Sequence, residues 1–155
     1  ELPFFLNVYN ITLEVTGTSF NVEAYQKERS VKVALLEGKV ALSTPKSATT
    51  HALRSGELMT VDKQKEQVGR EKFAYDDTFG WKEGILSFDG TTFSEFTDKL
   101  QRWYNVSIQL KGKVPNDWML RAKYRHESIE NVLKDISFNK DFTYVIQGTH
   151  LLITF

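Results

Sequence analysis

His51, His126 and His150 are the side chains best suited to move a proton or hold a metal near neutral pH, and they are dispersed along the chain. The nearest approach to a metal cluster is His126-Glu127-Ser128-Ile129-Glu130, where a spacing of four would bring His126 and Glu130 onto one helical face. Acidic residues there also suit a helix start, whose free amides favour negative charge, and that reading is the stronger one. Asp76-Asp77 and Glu127/Glu130 are carboxylate pairs. Paired-carboxylate catalysis needs a pocket, and nothing in the sequence marks one. No G-x-S-x-G, phosphate-cradling glycine loop or dinucleotide fingerprint occurs. Without a cysteine there is no thiolate metal site, iron–sulfur cluster, disulfide or cysteine nucleophile. The chain does not read as an enzyme, and no cofactor or metal is expected.

Trp81, Trp103, Tyr104 and Trp118 could stack on a sugar or a base. Trp103 continues an apolar helix face and reads as core, whereas Trp118 follows a Pro115-Asn116-Asp117 turn and is ambiguous. Asn10-Ile11-Thr12 and Asn105-Val106-Ser107 match the glycosylation sequon, a triplet frequent by chance.

The elements that position these residues belong to a globular chain of 155 residues, 41% apolar and 13% aromatic, enough for one domain or two small ones. Twenty basic and twenty acidic residues give no net charge, which argues against non-specific nucleic-acid binding. No apolar run approaches the roughly 20 residues of a membrane span, and no signal peptide is present. The chain starts at Glu1 rather than Met, with strand-like Leu2, Phe4, Phe5 and Leu6. It reads as part of something longer, with room for an anchor outside it.

Residues 1–78 show period-two alternation: Ile11, Leu13, Val15; Phe20, Val22, Ala24; Val31, Val33, Leu35; Val40, Leu42; then Leu58 with Val61. Gly17, Gly38 and Gly56 each precede a strand at spacings near twenty, which leaves a stacked solenoid-like layer and an antiparallel sandwich both open. Pro45 to Thr50 reads as a loop, and the charged stretch Lys63 to Lys72 as an exposed edge. Asp76-Asp77-Thr78-Phe79-Gly80 marks a junction, because the hydrophobic rhythm changes after it.

Residues 79–155 carry a 36-residue repeat: Phe88 falls on Tyr124, Thr92 on Ser128, Phe93 on Ile129, Phe96 on Val132, Leu100 on Ile136 and Ile108 on Tyr144. Each copy reads strand, helix, strand, with helices over about 93–104 and 128–138 and a closing strand from Leu151 to Phe155. Thr92-Phe93-Ser94-Glu95 is a capping-box pattern. The fold class is therefore α+β: an all-β solenoid-like or sandwich unit, then a duplicated βαβ unit.

The repeat also places Leu86, Phe88, Ala122 and Tyr124 inward, and Ile85, Ser87 and Asp89 outward, with Arg121, Lys123 and Arg125 as a positive stripe on the second copy's first strand. Such a stripe protects an exposed edge, or regulates docking on it, with the same chemistry.

Val15-Thr16-Gly17-Thr18-Ser19-Phe20-Asn21-Val22 followed by Val33-Ala34-Leu35-Leu36-Glu37-Gly38-Lys39-Val40, with Leu53-x-x-Gly56-Glu57 later, resembles the signature of FecR-type anti-sigma regulators. Trp81-x-x-Gly84-x-Leu86-x-Phe88 and the two helices look like the C-terminal subdomain of the same regulators, itself similar to the signalling module of TonB-dependent transducers and secretins. The resemblance implies a periplasmic signal receiver of an inner-membrane regulator. Its partners would be the signalling domain of a TonB-dependent outer-membrane transporter and, through a cytoplasmic segment absent from this chain, a sigma factor. Membrane attachment would come only from an anchor helix outside this sequence. A carbohydrate-binding module using Trp81, Trp118 and Tyr104, and a secretin-like assembly domain, are the alternatives.

Overall fold

The computed structural model describes residues 2–47 and 49–155, so Ala48 of the expected loop, like Glu1, lies outside the described residues. The chain divides into two compact units, Glu1–Thr78 and Phe79–Phe155.

In the first unit β1 (Phe4–Val8), β2 (Ile11–Glu23), β3 (Ser30–Ser43), β4 (His51–Leu53), β5 (Glu57–Asp62) and β6 (Val68–Lys72) form one sheet in the order β1-β2-β3-β5-β6, with β4 also on β3. Every pairing is antiparallel, so the three glycine-led segments do not stack as parallel rungs of a solenoid. The apolar alternation of β2 changes parity between Val15 and Phe20, and that of β3 between Leu35 and Val40. A side-chain period of two cannot change parity in a regular strand, so each strand must carry an irregularity there. The β2–β3 register shifts just after Thr16, where Gly17 and Gly38, both at positive φ, come together. A Cβ on Gly38 would overlap the Gly17 carbonyl, so the backbones approach this closely only because residue 38 has no side chain. Beyond this bend β4 takes one half of β3 and β5 the other, and both halves feed one core containing Leu13, Val33, Leu35, Leu42 and Met59. β6 ends the sheet as the exposed, charged edge. A one-turn helix α1 (Tyr75–Thr78) closes the unit.

The second unit opens with a 3₁₀ turn (Gly80–Glu83) and continues β7 (Ile85–Thr92), α2 (Phe93–Tyr104), β8 (Ser107–Lys111), β9 (Met119–Arg125), α3 (Ile129–Lys140), β10 (Thr143–Gln147) and β11 (His150–Thr154). α2 and α3 have identical bounds in the two copies, as do β8 and β10. Thr92 caps α2 reciprocally with Glu95, and Ser128 accepts the Asn131 amide at the start of α3. Each helix ends on a left-handed residue, Asn105 or Asp141. β7 pairs antiparallel with β9, while β11 lies between β10, antiparallel, and β8, parallel. Phe96, Leu100, Val132, Leu133 and Ile136 carry the apolar faces of the two helices into one core with Leu86, Phe88, Leu151 and Ile153. Each such side chain contributes roughly 1.5–3 kcal/mol on burial.

Candidate docking face on the second unit

β9 displays the alternation expected of a half-buried strand. Arg121, Lys123 and Arg125 are exposed, while Ala122 and Tyr124 pack against the core. Among the described residues β9 pairs only with β7. Arg121 Nε stands 3.4 Å from Asp89 Oδ1, across the β7–β9 pair.

β7 does not mirror β9. The two outward positions expected at Ile85 and Ser87 are buried, at 3% and 6% exposure, and of the three only Asp89 is exposed. Leu86 and Phe88 on the other face are buried as well, so both faces of β7's first half are covered. No period-two signal reveals this, since Ile85-Leu86-Ser87-Phe88 contains one polar residue. The Ser87 carbonyl takes a 2.6 Å hydrogen bond from Lys99 Nζ, whose ammonium also lies 5.5 Å from the Phe88 ring centroid.

The space between β9 and α3 differs. Tyr124 donates its hydroxyl to Asp135 Oδ2 at 2.6 Å, and burial followed by this bond pushes the phenol well above its ordinary pKa. Tyr104 donates to the Glu127 carbonyl at 3.0 Å and pins the end of α2 to the loop before α3. Burial, then the charges of Glu127 and Glu130, pushes its phenol up to about 12. A groove of about 700 Å³ opens here between Tyr124, Glu127, Asp135, Phe138 and Phe142. Phe138, at 85% exposure on the outer side of α3, breaks the amphipathic pattern of the helix. It follows Ile136 by two, off the core-facing rhythm, and that is the one signal of it in the sequence.

The other sequence candidates fall elsewhere. His126 precedes the Ser128 cap at φ +52°, so it is not helical and does not share a helix face with Glu130. Among the described residues no group of three or more His, Cys, Asp or Glu could hold a metal ion. Asp76 and Asp77 form the first turn of α1. Trp118 is 7% exposed, wedged against Phe93 and Phe96 in the core, and Trp81 lies exposed on the 3₁₀ turn. With Trp118 buried and the Tyr104 hydroxyl engaged, the three aromatics proposed as a sugar platform do not form one. Asn10 is bonded to Glu66 and Asn105 caps α2, which gives each a local structural role. No described helix is long and apolar enough to cross a membrane.

Residues 85–153 match the family model for the FecR C-terminal domain. Two crystal structures of candidate anti-sigma factors from Parabacteroides distasonis ATCC 8503, at 1.65 and 2.50 Å resolution, are similar to this chain with TM-scores of 0.81 and 26% identity. The alignments cover 97% and 98% of this chain and 70% of each of theirs. No curated protein matches it.

Proposed function

With its second unit matching a FecR C-terminal domain, and the resemblance to FecR-type anti-sigma regulators upheld, we propose that this chain is the signal-receiving part of such a regulator. In this reading it lies in the periplasm, held by an anchor outside this sequence. It binds the signalling domain of a TonB-dependent outer-membrane transporter and relays cargo status to a cytoplasmic sigma factor. Its role is binding rather than catalysis.

The observation that carries the reading is β9: a strand paired, among the described residues, on one side only, with Arg121, Lys123 and Arg125 exposed on one face. A partner strand adding at this edge gains backbone hydrogen bonds, and acidic side chains opposite the stripe set register and speed encounter. Edge protection by charge accounts for the same stripe without a partner. The two are separated by reversing all three charges, verifying the fold by circular dichroism, and titrating with the transporter's isolated signalling domain. Docking at β9 predicts weaker binding with a flatter salt dependence; unchanged affinity and salt dependence would remove the contact from β9.

A further inference from the structure

The 36-residue repeat makes the first copy a template for the second. In the first copy the space beside Phe88 holds the Lys99 ammonium, bonded to the Ser87 carbonyl and facing the ring. Thirty-six residues on, Ser87 becomes Lys123, Phe88 becomes Tyr124 and Lys99 becomes Asp135. The second copy has exchanged its internal cation for a carboxylate, and the groove lies open at that place.

The walls suit a cation. Tyr124, Phe138 and Phe142 give aromatic faces, and Glu127 and Asp135 give carboxylates. Asp135 accepts from Tyr124 and Asn139, and Glu127 from Asn131, all neutral donors, so neither is in an ion pair with a described residue. Lys134 also lines the groove, leaving one positive charge against two negative. Aromatic faces attract cations through their quadrupole, and a long aliphatic stem packs on Phe138 while its charged head reaches the carboxylates.

The geometry points to the β9–α3 groove as a binding site for a lysine or arginine side chain carried by an extended partner segment, which takes the place that Lys99 fills in the first copy. The site stands on the repeat and the groove alone; only the partner's identity rests on the reading above. A strand added along β9 would point alternate side chains toward α3, so acidic residues facing the stripe and a basic residue entering the groove are compatible on one segment.

The test is an NMR titration of the 155-residue chain with capped serine–threonine peptides holding one central lysine or, as control, norleucine. The lysine peptide should shift the amide resonances of Tyr124, Asp135 and Phe138, and norleucine should bind about tenfold more weakly, the size of one charge-assisted hydrogen bond. Asp135→Lys, which restores the first copy's plug, should abolish the shifts. Phe138→Ala, at an exposed position that leaves the fold intact, should weaken binding severalfold. Equal binding by norleucine, shifts outside the groove, no shifts at millimolar peptide, or full binding by either variant would overturn the assignment. The transporter domain is absent from this assay, so its failure would leave the proposed function standing.

Discussion

Ser87 and Lys123 stand directly opposite one another in the β7–β9 pair, and they are also equivalent positions of the 36-residue repeat. The only operation that sets equivalent residues of two antiparallel strands face to face is a two-fold axis between them. Leu86 opposite Tyr124 and Phe88 opposite Ala122 are the two partners that such an axis exchanges. The duplication is thus a local pseudo-dyad, and it extends to the backbone: Gly90 and His126 are both left-handed, as are Asn105 and Asp141. Differences between equivalent residues can therefore be read as departures from a shared design.

Asp141 is one such departure. It holds the left-handed cap of α3 with a side chain that strains this conformation, and it places a negative charge at the helix end that disfavours it. Asp141→Gly should stabilise the protein by about 1 kcal/mol, read as a higher urea midpoint at constant m. Asn105→Gly should give less, since Asn tolerates the conformation and carries no charge. A loss of stability in Asp141→Gly would show that the aspartate has a stabilising role its hydrogen bonds do not reveal.

The glycines of the first unit separate two costs. Gly56, at φ +84°, has open space where a Cβ would go, so Gly56→Ala should cost only backbone strain, about 1–2 kcal/mol. Gly38 adds a collision with the Gly17 backbone at the bend, and Gly38→Ala should be the more damaging by a clear margin in chemical denaturation. Equal costs would mean that the bend can open without penalty.

These examples mark what was legible in the sequence. The parity change across Gly17 and Gly38 was visible in the apolar spacing, but sequence cannot say that the two irregularities face each other, because register is a tertiary fact. The helices and caps were legible because Thr92, Glu95 and Ser128 act within three residues of themselves. The burial of Ile85 and Ser87 was not, since Ile85-Leu86-Ser87-Phe88 has no clean alternation to mark a strand covered on both faces. The groove was hidden as well: Asp135 acquires meaning only beside Lys99 at the equivalent place.

Asp62 contributes to the acid limb of stability. Its carboxylate accepts the amides of Lys65 and Gln64 and pairs with Arg29 Nε at 2.6 Å, which together hold its pKa at about 2 against an ordinary 3.8. A depressed folded-state pKa contributes stability above the unfolded value, and that contribution disappears as pH falls from about 4 through 2. Asp62→Asn should therefore flatten the fall in thermal midpoint over this window while lowering stability at neutral pH. An unaltered acid limb would assign the pH dependence to other carboxylates.

The last prediction concerns Arg121, which faces Asp89 across the strand pair. With side chains 82% and 63% exposed, the pair is screened by water and contributes little to stability. Asp89→Asn should change the unfolding free energy by less than about 0.5 kcal/mol. Its effect should lie in association, because Asp89 offsets the charge that Arg121 presents to an approaching acidic strand. If the transporter's signalling domain docks on β9, Asp89→Asn should raise the association rate severalfold at low ionic strength. The gain should fade as salt shortens the Debye length toward the reach of the pair. Stopped-flow association at two ionic strengths measures both effects, with Arg121→Glu as the opposite arm. Should Arg121→Glu slow association while Asp89→Asn leaves it untouched, the stripe would still steer the partner, but without restraint from the β7 carboxylate.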